Sequence, residues 1–165
     1  MIHGLAEENS PFSATVIRPF NLYGPDQRPN FVIPAFVNEV VNGNAPVVYD
    51  KGTQTRCFTY IEDFIGGVHL ASTRPEGKNQ VFNLGSTRET RIRDLAEMVV
   101  DIADADVEPE FIDTDELYGD SYEDLDRRVP DVSKAEQELG WQTTTSLETG
   151  IKRVLEWGRT HYHDD

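Results

Sequence analysis

The spacing of apolar residues changes several times along the chain, and each change predicts a different secondary-structure element. Short runs of β-branched or alternating apolar residues predict strands, whereas apolar residues three and four positions apart predict helices. Strands are predicted at 14–18, 46–49, 54–60, 80–85 and 108–112. Helices are predicted at 1–9, 32–43, 61–73, 91–104, 133–140 and 146–161. Strands and helices that alternate in this way predict an α/β fold.

Turn and capping residues at the ends of these elements predict how they begin and connect. Asp50-Lys-Gly52 lies between two predicted strands and indicates a turn that pairs 46–49 with 54–60 as a hairpin. Asn30 is in the position of a helix cap before residue 32. Three further helices are preceded by the pattern of a capping box, at Thr59-x-x-Glu62, Ser133-x-x-Glu136 and Thr145-x-x-Glu148. Trp141, after the glycine at 140, is expected to fill part of a core.

The net charge of −15 excludes several classes of partner. Thirty acidic residues stand against fifteen basic ones, of which four are lysine and eleven arginine. A surface this acidic repels nucleic acid and anionic membranes, so neither is expected as a partner. The length of 165 residues is enough for one domain with a sizeable core.

Cysteine and hydropathy patterns favour a reducing compartment. Cys57 is the single cysteine, so no internal disulfide can form. No apolar stretch approaches the length that spans a membrane, and the first residues lack the charged and apolar regions of a signal peptide. We therefore expect a cytoplasmic protein.

The segment Arg18-Pro-Phe-Asn-Leu-Tyr-Gly-Pro25 follows the first predicted strand and contains candidate binding residues. Pro19 cannot donate to a sheet, and Gly24-Pro25 forces a turn, so the strand ends here. Asn21 and Tyr23 are then expected at the carboxyl end of a strand, where open α/β sheets bind ligands. The alternative is an ordinary strand exit in which Asn21 closes a local turn.

This segment resembles the Arg-Pro-Phe-Asn-x-Tyr-Gly-Pro signature of extended short-chain dehydrogenases/reductases that act on nucleotide sugars. The resemblance implies the edge of a Rossmann-like parallel sheet, approximately 1–30 and 78–104, together with the small C-terminal substrate-binding lobe, approximately 31–77 and 105–165. Its enzymes are NAD-dependent epimerases, dehydratases and decarboxylases. In that mechanism NAD oxidises the sugar at C4, the keto intermediate reacts, and the hydride returns. Asn21 matches the asparagine that hydrogen-bonds the substrate.

The pattern Gly52-x-Gln-x-Arg-x-Phe-x-Tyr-x-x-Asp63 is similar to the family segment whose arginine meets the diphosphate of the substrate. The resemblance assigns that role to Arg56. Arginine suits the role because its planar guanidinium donates two parallel hydrogen bonds to a phosphate. The alternative is a surface ion pair between Arg56 and one of many carboxylates.

The stretch Tyr122-Glu-Asp-Leu-Asp-Arg-Arg-Val-Pro-Asp131 is most similar to UDP-glucuronate decarboxylases and related enzymes. In these a tyrosine and an arginine six residues later reach the nucleotide sugar, which assigns Tyr122 and Arg128 to substrate binding. Arg127 leaves an alternative open, since one of the two arginines could serve only to neutralise the acidic loop. Asn83 is interpreted as structural, and Asp131 as part of a helix start.

Two motifs of the complete family enzymes are absent from the sequence. It has no Gly-x-x-Gly-x-x-Gly to cradle a dinucleotide, and none of its six tyrosines is followed by lysine four positions on. The chain is therefore expected to be a C-terminal, fragment-like substrate-binding half that starts after the catalytic helix, with no catalytic residue and no NAD bound by itself. NAD is expected in the complete enzyme. Two alternatives remain: a stand-alone nucleotide-sugar binding module, and one chain of a split enzyme whose partner chain carries the NAD-binding half.

No metal site is predicted. The acidic stretch 113–126 fails as an EF-hand because Tyr118 stands where glycine is needed and the carboxylate spacing is wrong. His69 has no second histidine or cysteine at ligand spacing, so we interpret it as a packed or surface residue.

The excess of carboxylates predicts a halophilic source, because repulsion among them is screened only in strong salt. We expect the melting temperature of the protein to rise when KCl is increased from low to molar concentration. A thermal melt followed by circular dichroism across that range measures the effect. A melting temperature that does not rise would contradict the prediction.

Overall fold

The structure is a computed structural model that describes residues 13–113 and 127–162. Five predicted helices are confirmed, each within a few residues of its expected bounds. They are α1 (Val32–Val41), α2 (Ile61–Thr73), α3 (Ile92–Ala103), α4 (Ser133–Leu139) and α5 (Leu147–His161). No helix of the described part is both long and apolar enough to cross a membrane. The helix predicted at 1–9 lies outside the described residues.

Nine short strands accompany these helices, and parallel pairing among them confirms the predicted α/β fold. The strands are β1 (Val16–Pro19), β2 (Leu22–Tyr23), β3 (Val47–Tyr49), β4 (Thr55–Cys57), β5 (Thr59–Tyr60), β6 (Val81–Leu84), β7 (Glu89–Arg91), β8 (Glu110–Ile112) and β9 (Arg127–Arg128). A 3-10 turn spans Pro75–Gly77.

The chain folds into two compact units, and each unit is made of three separate segments of the chain. The first contains the chain up to Leu22 with Cys57–Arg88 and Val129–Thr144, and the second contains Tyr23–Arg56, Glu89–Arg128 and the chain from Thr145. Each is described by itself. The assignment of residue ranges to a Rossmann edge and a substrate lobe stays a prediction.

The first unit is built on the parallel pair β1–β6, with Ile17 opposite Phe82 and Arg18 opposite Asn83. Phe82 and Leu84 are fully buried and pack with residues of α2 and α4. Trp141 fills this core, as predicted, and its indole Nε1 donates to the Asp63 carbonyl at 2.8 Å. One side of the sheet pair is thus covered by helices.

The second unit packs α1, α3 and α5 on one another through their apolar faces. The predicted apolar stripe of the last helix is buried, at Leu147, Ile151, Val154 and Leu155. Two small sheets belong to this unit: the parallel pair β3–β8, and a three-stranded sheet in the order β7-β4-β9. The second of these carries the arginines that the sequence singled out.

The predicted hairpin of 46–49 with 54–60 is wrong. β3 pairs in parallel with β8, and β4 lies between β7 and β9 instead. The turn that separates β3 from β4 is held by the start of α3: the Gly52 carbonyl accepts from Arg93 N at 3.0 Å, and the Gln54 carbonyl accepts from Ile92 N at 3.1 Å. These bonds hold residues 52–54 at the start of α3, and β4 then continues beside β7 rather than back along β3.

The predicted helix caps are also corrected. α1 begins after Phe31 and α2 after Tyr60, and neither has a side-chain cap, so Asn30 and Thr59 do not cap them. Ser133 lies inside α4, where its amide and hydroxyl both donate to the Asp131 carboxylate. For α5 the cap is displaced by one residue to Ser146, whose Oγ accepts from Thr149 N at 3.1 Å. Asp131 is thus a helix-start residue, as interpreted.

Candidate functional site

Thr59 joins the loops that leave the carboxyl ends of β1 and β6 in the first unit. Its hydroxyl donates to the Phe20 carbonyl at 2.7 Å and accepts from Ser86 N at 3.0 Å. The residue is fully buried, so both bonds are shielded from water. Since β1 and β6 are parallel, both loops lie at the edge of the pair where α/β sheets bind ligands.

Asn21 lies in the loop after β1, in a left-handed conformation with φ of 39°. Its carbonyl accepts from Thr59 N at 3.1 Å, and its side-chain Nδ2 donates to the Cys57 carbonyl at 3.1 Å. Asparagine tolerates positive φ better than most residues, which suits it to this turn. Asn21, which is exposed, is therefore held in place by one bond of its side chain and one bond of its backbone carbonyl.

The loop after β6 packs closely on the loop after β1. A Cβ atom at Gly85 would lie 2.8 Å from the Phe20 Cβ and 3.1 Å from the Pro130 Cγ, so glycine is required for this approach. Asn83, within β6, donates from its amide to the Asp131 carbonyl at 2.9 Å. That bond connects β6 to the segment before α4, so Asn83 has a structural role, but in a strand rather than in the turn expected for Asn83-Leu-Gly85.

Gly52 determines where β4 begins in the second unit. It has a φ of 59°, and an added Cβ would lie 2.6 Å from the Val48 Cγ1 and 3.0 Å from the Arg93 Cβ. A larger residue would strain the backbone and displace its neighbours. The glycine of the Gly52-x-Gln-x-Arg pattern therefore anchors the strand on which Arg56 lies.

Arg56 and Arg128 are direct neighbours across two parallel strands. β4 and β9 pair with Arg56 opposite Arg128 and Thr55 opposite Arg127. Partners in a parallel ladder lie on the same face of the sheet, with strands about 4.8 Å apart. Arg56 is half-buried and its Nη1 donates to the Thr55 carbonyl at 2.7 Å, whereas Arg128 is exposed. Two predicted binding residues therefore share one face.

The opposite face of this sheet carries an ion pair. Arg127 donates from Nε to Glu89 Oε2 at 2.9 Å and from Nη2 to Glu89 Oε1 at 2.7 Å. The Thr55 hydroxyl donates to the same Oε2 at 3.1 Å. These bonds, Arg127 first, lower the pKa of Glu89 below its ordinary value of 4.5. Among the described residues Arg127 thus pairs with a carboxylate of β7, and the alternative that it neutralises the acidic loop stays a prediction.

The structure brings some of the predicted site residues together and not others. Arg56 and Arg128 meet in the second unit, while Asn21 belongs to the first. Tyr122 lies outside the described residues, as does most of the acidic stretch 113–126. Sequence reasoning missed the roles of Thr59 and Glu89, because each depends on partners that are distant along the chain.

The described residues do not fit a metal or the NAD pyrophosphate. Within 13–113 and 127–162, no three histidine, cysteine or carboxylate side chains are grouped to hold a metal. His69 is exposed on α2. A dinucleotide needs a glycine-rich turn between a strand and a helix N-terminus. The described strand-to-helix junctions, Tyr60 to Ile61 and Arg91 to Ile92, contain no glycine.

A pair of guanidinium groups on one face suits a ligand with two adjacent negative groups. Each guanidinium can donate two parallel hydrogen bonds to phosphate oxygens, and the two strands hold their Cα atoms at a fixed separation. A pyrophosphate presents such a pair of anionic groups. In the second unit, Arg56 and Arg128 place two guanidinium-bearing side chains on one face of a sheet.

Replacement of Thr59 tests whether its hydroxyl holds the two loops of the first unit. Thr59→Val keeps the shape but leaves the Phe20 carbonyl and Ser86 N without their partner, which costs about 1–3 kcal/mol in the free energy of unfolding. Urea denaturation measures the loss. Thr59→Ser keeps the hydroxyl and is the control, with a smaller expected loss. Equal effects of the two substitutions would contradict the role of the hydroxyl.

Comparison with known proteins identifies relatives over nearly the whole chain. Residues 5–154 match the family described as GDP-mannose 4,6 dehydratase. UDP-N-acetyl-alpha-D-glucosaminuronate decarboxylase of Bacillus cytotoxicus is 29% identical over 153 residues, which cover 91% of this chain and 47% of that protein.

Two solved structures are similar in fold as well. UDP-glucose 4-epimerase of Thermotoga maritima, solved with UDP-glucose, has a TM-score of 0.81 and 29% identity over 92% of this chain and 48% of its own. UDP-glucuronic acid 4-epimerase of Bacillus cereus, solved with UDP-glucuronic acid and NAD, has a TM-score of 0.78 and 26% identity, over 91% of this chain and 46% of its own.

The chain thus spans about half the length of the relatives it matches. The family match covers well over half of the chain, and the relatives act on nucleotide sugars according to their names. The signature around Asn21 and the parallel strands agree with this result. The chain belongs to the GDP-mannose 4,6 dehydratase family, among the NAD-dependent nucleotide-sugar epimerases, dehydratases and decarboxylases of the extended short-chain dehydrogenases/reductases.

Proposed function

We propose that this chain supplies the nucleotide-sugar-binding part of an NAD-dependent epimerase, dehydratase or decarboxylase. The observation that carries the proposal is the register of β4 and β9, with Arg56 opposite Arg128. The resemblance implies contact with the diphosphate for Arg56 and contact with the nucleotide sugar for Arg128. Their side-by-side arrangement in the second unit suits the pyrophosphate of a nucleoside diphosphate sugar.

The charge of the chain supports this use of the two arginines. The protein carries a net charge of −15, so most of its surface repels a nucleotide. Two guanidinium groups on one sheet face create a local positive potential within that field. A diphosphate is then attracted to the sheet face that carries Arg56 and Arg128, and most of the remaining surface repels it.

For Asn21 and Tyr122 we propose the substrate contacts that their own motifs imply. Asn21 is at a strand's carboxyl end, exposed and fixed by its bonds with Thr59 and Cys57, which suits a side chain that meets a ligand. Tyr122 lies outside the described residues and keeps the role implied by its motif. The substrate class is a nucleotide sugar, and we assign neither the base nor the sugar.

The proposal gives this chain binding but not turnover. A tyrosine acid/base with a lysine four positions on is needed in this family, and the sequence has no such pair. We propose that NAD and this tyrosine are supplied by sequence beyond the 165 residues, on the same chain or on a separate partner chain. Cys57, the single cysteine of the sequence, is buried and forms no disulfide, which suits a cytoplasmic location.

Alanine replacement of each arginine tests the proposed site. Arg56→Ala and Arg128→Ala should each weaken binding of UDP-glucose or UDP-glucuronic acid by about 10- to 100-fold, because each removes charged hydrogen bonds. Isothermal titration calorimetry measures the affinity. Arg159→Ala is the matched control, since Arg159 is an exposed arginine of α5 in the same unit.

Two outcomes would contradict the proposal. One is unchanged affinity in both Arg56→Ala and Arg128→Ala when Arg159→Ala is also unchanged. The other is a wild-type protein that binds neither UDP-sugar.

Incubation of the pure protein with NAD and UDP-glucuronic acid should give no product, and conversion would show that this chain contains the catalytic group.

A further inference from the structure

β9 is a strand of only two residues, and its position decides where Arg128 lies. It pairs with one neighbour, β4, through Arg127 and Arg128. A two-residue pairing provides few backbone hydrogen bonds, so side-chain contacts matter to its stability. The contact that the structure shows is the two-pronged bond of Arg127 with Glu89, a residue of β7.

We propose that Glu89 is a positioning residue for the diphosphate site: it holds β9 against β4 and thereby keeps Arg128 beside Arg56. The proposal rests on the function proposed above and adds a residue that touches no substrate. Glu89 acts through Arg127 and Thr55, on the face of the sheet opposite Arg56 and Arg128.

The geometry supports this role because one carboxylate joins all three strands. Glu89 belongs to β7, Thr55 to β4 and Arg127 to β9, and β4 lies between the other two. Glu89 Oε2 accepts from both Thr55 and Arg127, and Oε1 accepts from Arg127. When an arginine and a carboxylate are joined by two parallel hydrogen bonds, both the distance between the two groups and their relative orientation are fixed.

The charges on these strands also bear on the role of Glu89. The ion pair lies at the surface, with the Arg127 side chain 67% exposed and the Glu89 side chain 33% exposed. Three arginines, Arg56, Arg127 and Arg128, occupy two paired strands. Like charges on neighbouring strands destabilise a sheet, and Glu89 neutralises the one that faces away from the proposed site.

As a consequence, the affinity of the protein for its ligand depends on Glu89, although the ligand does not contact Glu89. When Glu89 loses its charge, Arg127 loses its two-bond contact with the carboxylate, and the attachment of β9 to β4 and β7 is weakened. Arg128 then leaves its place beside Arg56 for part of the time. The loss of Glu89 should therefore matter only while Arg128 is present.

A double-mutant cycle with UDP-glucose tests this dependence. Glu89→Gln should weaken UDP-glucose binding by about 3- to 10-fold in the wild-type background, as expected for a well-aligned surface ion pair. In Arg128→Ala it should have no further effect. Arg127→Gln, which removes the other partner of the pair, should reproduce Glu89→Gln, and the two should not be additive.

Glu97→Gln is the matched control, since Glu97 pairs with Arg93 on the surface of the same unit at 3.9 Å. It should leave the affinity unchanged. Equal losses from Glu89→Gln in the presence and absence of Arg128 would overturn the inference. A loss from Glu97→Gln as large as that from Glu89→Gln would overturn it too, because a general charge effect would then explain both.

A measurement without ligand separates this inference from the proposed function. Amide hydrogen exchange at 127–129 should be about 3- to 10-fold faster in Glu89→Gln and Arg127→Gln, and unchanged in Glu97→Gln. Unchanged exchange in the first two variants would overturn the inference, whether or not UDP-glucose binds. Faster exchange in a protein whose wild type does not bind UDP-glucose would support the role of Glu89 and remove the proposed function.

Discussion

Two arginines held side by side on neighbouring parallel strands repel each other, and the second unit is arranged so that this repulsion is tolerated. Arg56 and Arg128 share one face of the β7-β4-β9 sheet. Arg127, which would add a third positive charge, lies on the other face and is neutralised by Glu89. A diphosphate at the first face would convert the repulsion between two guanidinium groups into attraction for one ligand.

Contacts made by the backbone, rather than burial of the side chains, hold the candidate residues in position. Gly52 allows the chain to pass close to Val48 and Arg93, which determines the start of β4. In the first unit the buried hydroxyl of Thr59 joins the loops after β1 and β6, and Asn21 is held at its carbonyl and its amide. The side chains that would meet a ligand can remain exposed because their backbones are held by other residues.

Sequence reasoning predicted the helices well, since the spacing of apolar residues is a local property. It also singled out Arg56 and Arg128 as candidates through their motifs, and the structure places the two opposite each other, while their role in binding stays a prediction. It did not predict the partners of the strands, because β4 pairs with β9 some seventy residues later in the chain and no local pattern encodes that choice. The role of Thr59 was not predicted either. Thr59 stands at the start of a capping-box pattern, but its hydroxyl forms hydrogen bonds with two loops that are distant along the chain. The contact of Glu89 with Arg127 likewise follows from tertiary structure.

The most direct test of the account is a crystal structure of the protein with UDP-glucose. The account predicts that guanidinium nitrogens of both Arg56 and Arg128 lie within about 2.7–3.2 Å of pyrophosphate oxygens, the range of charged N–H···O hydrogen bonds. It also predicts that Glu89 remains bound to Arg127 and contacts no ligand atom. A pyrophosphate bound away from both arginines would contradict the account.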